Sequence, residues 1–119
     1  MYGCALPVSA IEQDLQIAKD LGANSIRTSH YPNDEIFLDL CDEQGILVWE
    51  ENHARGLVLE QMQNPNFEPQ AEACIQEMIT AHINHPCIII WGILNECASD
   101  TEYGYECYKK QYDLIRKLD

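Results

Sequence analysis

The stretch 88–100, IIIWGILNECASD, decides how this chain is read. Ile88, Ile89, Ile90 and Trp91 run without a polar break, and then Asn95 and Glu96 stand side by side. Such an apolar run reads as a buried strand. Polar residues often do no more than end a strand. An amide and a carboxyl at the end of an apolar strand are also what acid–base chemistry uses. The rest of the chain separates the two readings.

Two further strand candidates lie upstream. Residues 24–28, NSIRT, form a short one, and 46–49, ILVW, a fully apolar one, which suits a strand covered on both faces. Helical patterns separate them. Ser9 can cap a helix and Glu12 completes a capping box, with Ile11, Leu15, Ala18 and Leu21 on one face and Gly22 as the stop. Asn33 caps a second helix carrying Ile36, Phe37, Leu40 and Cys41, and Gly45 ends it. Residues 52–69 hold two prolines and little periodicity, and read as a long loop with room for a short helical turn. A third helix runs from about Ala71, with Ala71, Ile75, Met78, Ile79 and His82 on one face, and Pro86 closes it. Ser99 or Asp100 caps a fourth, with Tyr105, Tyr108, Tyr112 and Ile115 along one stripe.

The order α-β-α-β-α-β-α predicts an α/β fold of parallel strands joined by right-handed helical crossovers. The expected strands are Asn24–Thr28, Ile46–Glu50 and Cys87–Leu94, within a single domain over 1–119. The chain opens on a helix and closes at IRKLD, so both ends read as cut from something longer.

Composition narrows the function classes. A net charge of −13 over 119 residues argues against nucleic acid or an anionic membrane as partner. The six cysteines form no C-x-x-C pair, and several sit among apolar residues. Reduced, mostly buried thiols in a reducing compartment are expected, hence a cytoplasmic location. No run reaches the roughly 20 apolar residues of a membrane span, and the start, MYGCALPVSA, does not read as a signal peptide.

Parallel strands bring their C-terminal ends to one edge, where barrels of this class keep their active sites. The first strand ends in Arg27, Thr28, Ser29, His30 and Tyr31, the second in Glu50, Glu51, Asn52 and His53, the third in Asn95 and Glu96. That puts an arginine, two histidines and three glutamates on a common rim. Plainer roles exist for each. Arg27 could neutralise Glu50 or Glu51, and His30 could bond to backbone. His82 and His85, in HINHP, could cap helix carbonyls and are given no chemistry. The tyrosines read as helix packing.

The blocks GANSIRTSHYPND, LDLCDEQGILVWEE, NHPCIIIWGILNE and IRKLD together resemble the family-two glycoside hydrolases, the β-galactosidase and β-glucuronidase group. The resemblance implies part of a (β/α)8 TIM barrel, about strands two to four. It implies part of a retaining exo-β-glycosidase acting on a carbohydrate substrate, a β-galactoside or β-glucuronide; no cofactor is expected and no metal ligand is assigned. Glu96 would be the acid/base and Asn95 would contact the sugar 2-hydroxyl. His30 would line the sugar pocket and Arg27 would support the site; strand direction adds Glu51 to the same rim as a substrate-binding candidate. Retaining chemistry needs a second carboxylate about 5–5.5 Å from the first. In the family it lies on a later strand, beyond Asp119, and Glu50 and Glu51 do not match its motif. The isolated chain is therefore expected to be inactive and to need the rest of a barrel. Consecutive strand residues point to opposite faces, so Asn95 and Glu96 can share a pocket only if the backbone bends there. Two other readings remain. One is a βα scaffold or assembly module with open strand edges. The other is a metal site built from His30, Glu51, His53 and Glu96.

Overall fold

The computed structural model describes residues 6–119. In chain order the elements are α1 (Val8–Asp20), β1 (Ser25–Arg27), α2 (Glu35–Gln44), β2 (Leu47–Glu51), α3 (Leu59–Met62), α4 (Phe67–His82), β3 (Ile88–Gly92) and α5 (Glu102–Leu118). The strands form one parallel sheet in the order β1-β2-β3, as the alternation predicts. The sheet is open, and β1 and β3 are its edges.

Helix starts differ from the sequence reading. Ser9 and Glu12 make no capping box, because α1 begins one residue before Ser9, with Pro7 as its cap. Asp34, not Asn33, caps α2, its carboxylate accepting from the Ile36 N–H at 2.8 Å. Thr101, not Ser99 or Asp100, caps α5 by accepting from the Gly104 N–H. Helix α4 starts at Phe67 rather than Ala71, which places Pro69 in its first turn. A proline is harmless there, since those N–H groups have no partner within a helix. Helix α4 ends at His82, four residues before Pro86. Gly45 ends α2 as expected, at φ 69°, where only glycine is unstrained.

Alternation along the strands sorts their side chains. Val48 packs with Ile11, Leu15, Leu38, Cys41, Ile46 and Cys87 under α1 and α2. Trp91 packs against Ile75, Met78, Ile79 and Ile115 of α4 and α5. Leu47, Trp49 and Ile90 face the other way and stay 38–45% exposed. The expectation of a second strand covered on both faces is thus met on its helix side alone. Val48 pairs with Ile88 but Trp49 with Ile90, so β3 bulges at Ile89. The bulge resets which β3 side chains face the helices.

The helix stripes fare unevenly. All of Ala71, Ile75, Met78, Ile79 and His82 are buried. Leu21, Ile36, Tyr105 and Tyr112 are exposed instead of packed. Of the tyrosine stripe, Tyr108 is buried with Ile115. Neither histidine of HINHP caps a helix. His82 Nδ1 lies 2.9 Å from Glu50, and His85 Nδ1 lies 2.7 Å from Asp42. Burial acts to raise the Asp42 carboxyl, but hydrogen bonds from Cys87 and His85 outweigh it and hold it low.

Cys41, Cys87, Cys97 and Cys107 are buried free thiols, and Cys74 is partly exposed. The sixth, Cys4, and the first five residues lie outside the described part. No described helix is long and apolar enough to cross a membrane.

Candidate active site

The three strand ends meet at one edge, and side chains tie them together there. Arg27 closes β1, Glu51 closes β2, and Asn95 and Glu96 follow β3. Parallel register sets Arg27 beside Trp49, and the guanidinium carbon lies 4.8 Å from the indole centroid, a cation–π stack. From that seat Arg27 Nε donates to Glu51, and Nη2 donates to Asn95 Oδ1 at 2.8 Å. One planar fork therefore spans all three strands, a geometry that arginine provides and lysine does not.

Glu51 is fully buried. Its second oxygen accepts from His30 Nδ1 at 2.9 Å, and its backbone N–H donates to Thr28 Oγ1. A buried carboxylate is tolerated when it is paired and hydrogen-bonded, and Glu51 meets both conditions. Gly92, opposite Glu51, leaves the room this needs. A Cβ there would meet Trp49 Nε1 and would stand 2.7 Å from Glu51 Cγ.

The adjacency of Asn95 and Glu96 resolves through the backbone. Regular pairing of β3 ends at Gly92, and Asn95 forms an isolated parallel bridge with Arg55. Its N–H donates to Ala54 O and its carbonyl accepts from Gly56, both at 2.8 Å. Glu96 then takes φ 51°, in the left-handed region, so strand alternation no longer governs its direction. That conformation costs a non-glycine residue about 1–2 kcal/mol. Glu96 is exposed, rather than enclosed by the apolar strand before it. Among the described residues it forms no side-chain hydrogen bond.

Two expected rim members lie elsewhere. Glu50 turns into the helix layer, as alternation beside Glu51 requires, and so is not on the rim. Exposed His53 sits 3.9 Å from Cys74 on α4. The described residues whose ligand atoms converge as a metal site would are Asp39, Asp42 and His85, none of them from the rim set. Sequence reading missed Trp49, Gly92 and Arg55. Trp49 was legible as the neighbour of Glu51 two residues back on the same face. Arg55 is an exposed cation that forms no ion pair among the described residues, and only its bridge to Asn95 puts it at this edge.

Parallel strands with helical crossovers and charged groups gathered at the C-terminal edge define the active-site side of an α/β barrel. Residues 1–119 match the family model described as glycosyl hydrolases family 2, TIM barrel domain, and the chain belongs to that family. A β-galactosidase of Thermoanaerobacter pseudethanolicus is 39% identical over 98% of this chain and 15% of its own length. A β-glucuronidase of Sus scrofa is 35% identical over 93% of this chain and 17% of its own. The crystal structure of a β-galacturonidase from Eisenbergiella tayi bound to galacturonate is 75% identical, with a TM-score of 0.96, over 98% of this chain and 21% of that one. The chain thus spans about a fifth or less of the relatives it matches.

Proposed function

We propose that this chain supplies strands two to four of the catalytic barrel of a retaining exo-β-glycosidase, and that the whole enzyme cleaves β-galacturonides. The observation that carries the substrate is the 75% identity, over 98% of the chain, to the galacturonate-bound β-galacturonidase. The relatives named for galactose and glucuronate are far less similar, at 39% and 35%.

In this reading Glu96 protonates the departing glycosidic oxygen, then takes a proton from the water that releases the sugar. Asn95 lends its amide to the sugar 2-hydroxyl. Its Oδ1 is engaged by Arg27, which leaves the N–H donors for the sugar. His30 lines the pocket. Glu51, with both oxygens engaged, acts by holding Arg27 and His30 in place. Arg55 is exposed beside Asn95, and its charge suits a uronate carboxylate. The nucleophile comes from a later strand, so the 119-residue chain alone does not turn over aryl β-glycosides. Free thiols suit a cytoplasmic enzyme.

The test compares 4-nitrophenyl β-galacturonide, β-glucuronide and β-galactoside as substrates of the complete enzyme. The galacturonide is expected to have the highest kcat/KM. A preference for either other sugar overturns the substrate. Hydrolysis with inverted configuration overturns the mechanism.

A further inference from the structure

Glu50 plays no part in that mechanism, yet it is fully buried beside Glu51. His82 Nδ1, on α4, lies 2.9 Å from both of its oxygens. Facing a carboxylate, that nitrogen carries the proton and donates. Glu50 Oε1 also accepts from the backbone N–H of Asn33 at 3.1 Å. Asn33 belongs to residues 28–34, the loop between β1 and α2 that carries His30. On the opposite face of the strand Glu51 holds the same loop, through His30 itself and through Thr28 Oγ1.

We propose that Glu50, braced by His82, is a positioning residue that sets His30 for substrate from behind the sheet. Two successive carboxylates on opposite faces of β2 grip the His30 loop at two points, one on its side chain and one on its backbone. Without Glu50, strand β2 would hold this loop only in its first half, at Thr28 and His30, and the stretch beyond His30 could shift. The Asn33 bond pins the far end of the loop, and His82 ties Glu50 to a helix with a fully buried face. The proposal rests on the glycosidase reading only in taking His30 as a pocket residue.

The test is a double-mutant cycle in the complete enzyme, on whichever of the three aryl glycosides it turns over fastest. Glu50→Ala should lower kcat/KM about 10-fold, mainly through KM, because interaction terms of this kind are worth that much. If that variant does not fold, Glu50→Asp serves, since it is too short to reach both Asn33 and His82. Glu50→Gln should recover kcat/KM to within about 3-fold of wild type. Its oxygen can accept from Asn33 while its amide donates to His82 in the other tautomer. In a His30→Ala background the Glu50 variants should cost nothing further, within about 2-fold. Losses that multiply in that background, or a Glu50→Gln enzyme as impaired as Glu50→Ala, would overturn the proposal. Glu96→Ala measured alongside separates the two readings. If it abolishes turnover while the cycle is additive, the positioning role alone fails. If it leaves turnover intact, the acid/base assignment of Glu96 fails and the cycle still reports on the loop.

Discussion

Arg27 donates to Asn95 Oδ1 at 2.8 Å across 68 residues of sequence. The first strand thereby orients the amide that follows the third. The same guanidinium is held from below by the Trp49 ring and from the side by Glu51. Asn95 is thus directed by a group already fixed at two other points. The amide's polarity follows, with its oxygen occupied and its nitrogen free to donate.

Removing that fork should be costly. Charge-assisted hydrogen bonds contribute about 1.5–3 kcal/mol each, so Arg27→Ala should lower kcat/KM by roughly 10- to 100-fold. Arg27→Lys should recover little, because one ammonium cannot serve Glu51 and Asn95 from a stacked plane. Steady-state kinetics of both variants decide it. Full activity with lysine would reduce Arg27 to a source of charge.

Replacing Glu96 with alanine should distinguish substrates by leaving group. A poor leaving group needs the proton and a dinitrophenolate hardly does, so kcat/KM should fall more for alkyl glycosides by about 10²–10⁴-fold. Azide should restore turnover of the activated substrate and yield a β-glycosyl azide. Equal losses on both substrates and no azide product would remove Glu96 from the acid/base role.

Gly92→Ala tests the crowding beneath the site. The new Cβ would press on the Trp49 indole and stand 2.7 Å from Glu51 Cγ. Overpacking of this kind costs about 1–3 kcal/mol, and the shift should also disturb Arg27. Thermal melting and activity should fall together. An unchanged Tm would mean that Trp49 moves aside freely.

Arg55→Ala should separate uronides from neutral sugars. Its effect on kcat/KM for the galacturonide should be about 10-fold or more, the size of a charge-assisted bond, with little change for the galactoside. Parallel losses on both would show that Arg55 supports the loop rather than meeting the carboxylate.

Two thiols carry a pH signature. Burial, with the Asp42 charge adding, pushes the Cys41 thiol up to about 12, and burial raises Cys87 as well. Below about pH 9 these thiols are protonated both folded and unfolded. Above it only the unfolded chain ionises them, so stability should fall as pH rises from 9 toward 12. Denaturant melts at pH 7 and pH 10 check the sign. Iodoacetamide should label neither thiol before unfolding, and rapid native labelling would contradict their burial.

Much of this protein is legible in its residues alone. The parallel order, the helical crossovers and the polar strand ends follow from local periodicity. The α4 stripe is the clearest case, with all five expected residues buried. Asn95 and Glu96 stand out because an apolar run ends on them. Other features are invisible locally. Alternation says that Glu50 and Glu51 oppose one another, but not which one faces the rim. That depends on the phase of β2 against helices α1, α2 and α4, set by packing between residues distant in sequence. The bulge at Ile89 and the left-handed turn at Glu96 aim the ends of β3 and leave no mark in a hydropathy pattern. Exposed Tyr105 and Tyr112 carry helical spacing, yet no described residue covers them, because a stripe states periodicity and not what lies opposite. Local chemistry settled which elements form and where their polar ends fall. Tertiary contact settled which groups Arg27 meets, because pairing is a matter of distance in space and its partners Glu51 and Asn95 lie 24 and 68 residues away.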